Sequence, residues 1–199
     1  MKEGLHMRGR EAKLPSARAC RGFSLVEVMV ALTITAVGLL GLAKMESLAV
    51  SSTKVALARS LAAIQASSLA AAMHANPGYW AAGVVPTTPT TVTLSGGVLT
   101  VVSDDPVLAA AATAPACITP GPTSCTPQAM AAYDLQEWAG ALQTLLPGSF
   151  STITCSALDT TPVTCTIQIQ WTENAVAANG LQTNMNALQT PTYTLYVQP

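Results

Sequence analysis

The chain has 199 residues, half of them hydrophobic, with nine lysines and arginines against ten acids for a formal net charge of −1. That length holds one globular domain beyond any membrane segment and not comfortably two. Residues 1 to 22 carry six cations against Glu3 and Glu11, a net of +4, whereas beyond Gly22 only Lys44, Lys54 and Arg59 face eight acids, a net of −5. Nucleic-acid binding through phosphate neutralisation needs clustered cations, and none occur after Arg59, so that class is disfavoured.

The first element in chain order is the run from Phe23 to Ala43, 21 residues interrupted by one carboxylate, Glu27. At ~1.5 Å per residue a helix of this length measures roughly 32 Å, enough to cross the hydrocarbon core of a bilayer. The basic leader favours retention on the cytoplasmic side, which puts the rest of the chain outside. Met7 as the start gives a shorter leader of the same net charge. An acid within an apolar span costs about 2.5 to 3.5 kcal/mol on insertion scales when it sits at a helix centre, so Glu27 is a functional candidate. Its place one turn inside the stretch leaves the alternative that it snorkels to the headgroups. Two further alternatives stay open: a secretory signal cut after Gly41-Leu42-Ala43, which fits poorly with so long and acid-containing a stretch, and an unprocessed single-span anchor.

The string RGFSLVEVMVAL, from Arg21 to Leu32, resembles the processing site of type IV prepilins: a basic leader ending in Gly, then Phe, with Glu as the fifth residue after the cut. The resemblance implies that a prepilin peptidase cleaves between Gly22 and Phe23 and methylates the new amino group of Phe23. It also implies that Glu27 meets the Phe23 amine of a neighbouring subunit during assembly. Physically, an α-ammonium and a carboxylate are both poorly solvated in lipid or in an apolar bundle, and pairing offsets a penalty that each suffers alone.

No proline occurs from Phe23 to Ala75, and the Ala- and Leu-rich segment after the apolar run places Leu57, Leu61 and Ile64 at helical spacing. One helix is expected throughout, about 80 Å long, ending at Asn76-Pro77-Gly78. Thr91 to Leu94 and Val98 to Ser103 flank Ser95-Gly96-Gly97 and predict a β-hairpin. Asp104 to Thr126 is an Ala-, Pro- and Gly-rich loop, with Asp104-Asp105 before Pro106 read as a turn. Thr126 and Pro127 predict a helix start, with Leu135, Trp138, Leu142 and Leu145 on one face and Pro147-Gly148 at its end. Val163, Cys165, Ile167, Ile169 and Trp171 then alternate with polar residues at period two, Ile153 and Cys155 share that parity on the preceding strand, and Tyr193, Leu195 and Val197 repeat it after a polar loop from Thr172 to Thr190. The fold class is therefore α+β: a long N-terminal helix, membrane-spanning in its first half, packed on a C-terminal antiparallel sheet. The expected divisions are 1–22 leader, 23–43 membrane or filament-core helix, 44–76 outer half of the helix, and 77–199 head.

Cys20 lies in the leader, leaving Cys117, Cys125, Cys155 and Cys165. An even count in an exported head argues for two disulfides, and of three possible connectivities the local one, Cys117 with Cys125 and Cys155 with Cys165, is expected. Zinc is the rival, but spacings of eight and ten residues with no nearby histidine suit it poorly. No cofactor, metal or small-molecule substrate is called for. His74, near a helix C-terminus, has a structural explanation in the helix dipole. Trp80, Trp138 and Trp171 suit a core, although Tyr79-Trp80 also suits an exposed contact patch.

Taken together, FSLVEVMVAL, MHANPGYW, YDLQEWAGALQTLLPG and CTIQIQW, in that order, resemble the PilV-type minor pilins. The resemblance implies a non-enzymatic, low-abundance subunit held first in the inner membrane with its head in the periplasm. It would join other minor pilins and the major pilin, prime assembly and sit at the fibre tip, with attachment and twitching motility following for the whole fibre. A minor pseudopilin of a type II secretion system has a similar opening, and an adhesive head on a pilin stalk is the reading of a different class.

Overall fold

The computed structural model describes residues 22–82, 88–117, 125–156, 162–174 and 188–199. Cys20, the leader up to Arg21 and the middle of the Thr172–Thr190 loop lie outside these residues. The described residues form two units that meet between Met45 and Glu46.

Helix α1, Leu25–Ala75, runs through both units. Up to Met45 every described residue is exposed, the large apolar ones included. From Glu46 onward burial is confined to one face, Ala62, Gln65, Ala66, Leu69, Ala70 and Met73. The single helix expected from the spacing of Leu57, Leu61 and Ile64 is present; of those three, Leu57 and Ile64 are 56% and 60% exposed and Leu61 packs against the core. Half of the buried stripe is alanine and the rest is Gln65, Leu69 and Met73.

Pro77–Trp80 forms a short helix, α2. Asn76, buried at the junction, donates from Nδ2 to the Pro127 carbonyl at 2.7 Å, and a Cβ on Gly78 would sit 3.3 Å from Pro127 Cγ. The end of α1 is thus tied to the start of the later helix through a contact that a glycine permits. Tyr79 and Trp80 are both buried, their rings edge to face at 4.8 Å, so they are core and not an exposed patch.

Strands β1, Thr90–Ser95, and β2, Val98–Val102, pair through Gly96 and Gly97, whose positive φ values of 58° and 82° are those of a two-residue hairpin turn. The stretch expected to be wholly loop contains a helical turn, α3, Pro106–Ala109, and a 3-10 turn, Ala111–Thr113. Asp105 is the N-cap of α3: its Oδ1 accepts from the Val107 and Leu108 amides, and its Oδ2 accepts from the Tyr79 hydroxyl at 2.8 Å. Helix α4, Pro127–Leu145, is capped by Thr126, which accepts from the Ala129 amide. Leu135, Trp138 and Leu142 are buried, but Leu145 is 42% exposed and Leu146 takes its inward place as the helix ends.

Strands β3, Phe150–Cys155, β4, Cys165–Gln170, and β7, Thr192–Val197, complete an antiparallel sheet of order β2-β1-β3-β4-β7, while β5, Glu173–Asn174, and β6, Leu188–Gln189, form a separate ribbon. The inward alternation is the one read from the sequence, with Cys165, Ile167, Ile169 and Trp171 buried beside Ile153 and Cys155. Helix α4 lies over β1 and β2, and the buried face of α1 joins the same core. The Trp138 indole donates to the Gln65 carbonyl at 2.8 Å, tying α4 to α1.

Cys117 bonds Cys125, and Cys155 bonds Cys165 across β3 and β4. The second pair sits directly opposite in register with Cα atoms 4.0 Å apart, next to a Ser156 N–H to Thr164 C=O bond, which makes it the close, non-hydrogen-bonded pair of the ladder. Replacing Cys155 and Cys165 together by alanine is expected to cost about 2–4 kcal/mol, read as a lower denaturation midpoint in urea.

Burial, the hydrogen bond to Asp105 and the charges of Asp105 and Asp104 hold the Tyr79 phenol well above its ordinary range. A folded-state value raised above the unfolded one stabilises the fold while the phenol stays neutral, and that contribution fades as pH climbs past about 10, where the unfolded chain ionises. Tyr79→Phe is therefore expected to lose about 1.5 kcal/mol near neutrality and to show a shallower loss of stability above that pH in chemical-denaturation series.

Candidate processing and assembly site

The residues singled out at the N-terminus occupy the entry to α1. Gly22 and Phe23 precede the helix, and the Ser24 carbonyl accepts the first helical bonds, from the Glu27 amide at 3.0 Å and the Val28 amide at 3.2 Å. Glu27 is the acid of the first turn, where the unpaired amides of a helix start favour negative charge. Phe23 is 79% exposed and Glu27 is exposed.

Gly22 has no fold-based reason to be glycine. Its φ is not in the left-handed region, and a Cβ there would meet nothing within 4 Å.

The helix that follows is long and apolar enough by composition to cross a membrane, with a best window of mean hydropathy 2.2 and none of that window buried. A Glu in the first turn of such a segment is the one charged group between Gly22 and Lys44. It offers a single fixed anion beside an amino terminus that cleavage at Gly22 would create four residues earlier.

Comparison with known proteins agrees with this geometry. Residues 17–43 match the family described as Prokaryotic N-terminal methylation motif. No curated protein and no solved structure matches the chain. The motif supports a type IV pilin-like protein, a pilin or pseudopilin, and implies processing by a prepilin peptidase and assembly with other pilins. The head has the α+β pilin-like arrangement, a helix packed on an antiparallel five-stranded sheet.

The head itself shows no gathering of catalytic groups. Among the described residues no three His, Cys, Asp or Glu side chains converge as metal ligands, and the cysteines are consumed in disulfides. His74 is exposed in the last turn of α1. Desolvation alone raises the half-buried Asp134 carboxyl, with no charged neighbour behind the shift. A groove of about 270 Å³ beside α3 and α4 is lined by Pro106, Val107, Ala110, Pro115 and Ala129 and presents no titratable group.

Sequence reasoning missed the tie between Arg59 of α1 and Glu173 of β5, 3.0 Å apart, with Glu173 also accepting from the Trp171 indole at 3.2 Å. The signal lay in scarcity: Arg59 is the last cation of the chain, and a nearly buried carboxylate needs a partner.

Because Gly22 has open space around it, Gly22→Val is expected to leave helical content and thermal unfolding of the protein unchanged while blocking removal of the leader. Circular dichroism and the intact mass of membrane-extracted protein read the two effects separately.

Proposed function

We propose that this chain is a minor pilin of a type IV pilus, of the PilV type, that helps prime assembly and sits at or near the fibre tip. The observation that carries the reading is the methylation-motif match across Gly22–Phe23, with Glu27 as the fifth residue beyond, on a helix that leads into a disulfide-tied head.

The steps follow from the residues. The leader, net +4, holds the N-terminus on the cytoplasmic side of the inner membrane. Prepilin peptidase hydrolyses the Gly22–Phe23 peptide bond, releasing the leader with a Gly22 carboxylate and leaving a Phe23 amine, which takes one methyl group from a sulfonium methyl donor, the donor leaving as a thioether and the amine giving up one proton. That amine remains cationic at neutral pH. On leaving the bilayer, the apolar stem enters a bundle of like stems, where the Glu27 carboxylate and an α-ammonium of a neighbouring subunit each remove the other's desolvation penalty. Pairing fixes how far one stem slides along the next. The head, with its disulfides formed in the periplasm, contributes contacts to other minor pilins and the major pilin. Adhesion and twitching motility are properties of the completed fibre.

A minor pseudopilin of a type II secretion system uses the same opening, and the two are separated by phenotype. Deletion of the gene is expected to reduce surface pili several-fold with the major subunit still made. Glu27→Gln is expected to be cleaved and methylated normally yet to fall about tenfold in sheared pili, as loss of one partner of a desolvated pair requires. Intact mass of the wild type should correspond to a chain starting at Phe23, with one added methyl group and four hydrogens missing for two disulfides. A cellular form beginning at Met1, Met7 or Lys44 overturns the reading, and normal piliation with lost secretion of hydrolases transfers the protein to the secretion system.

A further inference from the structure

One carboxylate joins α1 to the end of β4. Glu173 Oε1 lies 3.0 Å from Arg59 Nη2, and Glu173 Oε2 accepts from the Trp171 indole at 3.2 Å. The two ends of the ion pair sit in different surroundings, the Glu173 side chain being 8% exposed and the Arg59 side chain 60%. A carboxylate so far from water is tolerated only while a cation and hydrogen-bond donors serve it. Beyond Gly22 the sequence offers no substitute for Arg59. No lysine or arginine follows it, Lys54, five positions earlier, falls roughly 140° around the helix, and Lys44 lies about 22 Å back along the helix axis.

The segment that carries Glu173 is lightly held. Strands β5 and β6 have two residues each and pair with each other, outside the five-stranded sheet. So short a ribbon is marginal by itself. Trp171, just before it, donates from its main chain to the Pro191 carbonyl at 3.3 Å, and its ring is the last inward side chain of the alternation that runs along β4. Glu173 covers the polar edge of that ring and is kept there from the α1 side by an arginine that stands largely in water.

We propose that Arg59 and Glu173 form an electrostatic latch over Trp171. Closed, the pair neutralises the carboxylate and holds β5 against α1. Opened, Glu173 keeps a single neutral donor, the Trp171 indole, and a charge so poorly served moves to water. Strand β5 is the part that yields, since it belongs to no larger sheet. The move uncovers Trp171 and leaves the other two tryptophans in place, because Trp80 packs edge to face with Tyr79 and Trp138 is bonded to the Gln65 carbonyl. Added salt favours opening, as its ions compete for the exposed guanidinium. The head therefore has two forms whose balance is set on α1, and the open one presents an aromatic ring beside a released cation.

This inference goes beyond the pilus reading and is tested on purified protein, independently of piliation. Acrylamide quenching of tryptophan fluorescence is measured on the full chain in a zwitterionic detergent. All three tryptophans are buried, so the wild type should resist the quencher. Arg59→Ala is expected to make one of the three accessible, with circular dichroism unchanged. Adding Glu173→Gln to that variant should restore resistance, because a neutral amide still accepts from the indole and needs no cation. Between about 0.05 and 1 M salt the wild type should shift toward the behaviour of Arg59→Ala, and the double variant should not. Quenching of Arg59→Ala no greater than that of the wild type overturns the latch, as does a wild type indifferent to salt. A double variant as accessible as Arg59→Ala also overturns it, since the pair then acts by packing and not by charge. If Arg59→Ala alone loses its circular dichroism, recovery of the fold in the double variant supports the latch and failure to recover overturns it.

Discussion

One helix has to satisfy two environments, and the rest of the molecule follows from how it does so. Up to Met45, α1 exposes apolar side chains on every face, which water would punish and a bilayer or a bundle of like helices would not. From Glu46 it keeps one face dry and turns Ser, Thr and charged residues outward. The change of solvent is written in charge: after Glu27 the next ionised groups are Lys44 and Glu46, which straddle the boundary between the two units. A charge deeper in the apolar half would need a partner, and the one acid placed there lies in the first turn, beside the terminus that processing would create.

The packing of the outer half depends on small side chains. Ala62, Ala66 and Ala70 leave the helix backbone accessible, and the Trp138 indole reaches the Gln65 carbonyl because nothing larger stands in the way. Ala62 and Ala66 are fully buried in the same core, so a leucine at either would overpack it. The Asn76 and Tyr79 hydrogen bonds close the same region, one to Pro127 and the other to Asp105, so the turn after α1 is clamped to α4 and α3 together. With few ion pairs to draw on, the head relies on these directed bonds and on two covalent ties.

The legible parts of this fold were those where one physical signal acted alone. Period-two alternation placed β3, β4 and β7 and their inward residues, and the Thr126-Pro127 pair placed the start of α4. The same cap-then-proline signal stood at Asp105-Pro106 and was taken for a turn, because only four residues of helix follow it. Helical spacing gives the continuity of α1 but not its dry face. Leu57 and Ile64 face out while Ala62, Ala66, Leu69 and Met73 face in, so the side of the helix on which a residue falls, and not its hydrophobicity, decides its burial. Of the two places open to Tyr79 and Trp80 from the sequence, core or exposed patch, the structure has the core, with α2 packed on α4. At the N-terminus the methylation motif over residues 17–43 is legible from residue order alone, and the roles proposed for Gly22, Phe23 and Glu27 rest on that order.

The separation of the two units matters for how such a chain can be used. The residues proposed for processing and assembly, Gly22, Phe23 and Glu27, lie in the first unit. The head's core is in turn closed by its own elements, with α1 contributing only the face from Ala62 to Met73. A sheet whose inward residues are fixed by α1, α4 and a cross-strand disulfide leaves its outward residues free of structural duty. Alternation makes that freedom possible: Thr91, Thr152, Gln168 and Thr194 can be chosen for what they meet outside, because Val92, Ser151, Ile167 and Ile169 already carry the packing.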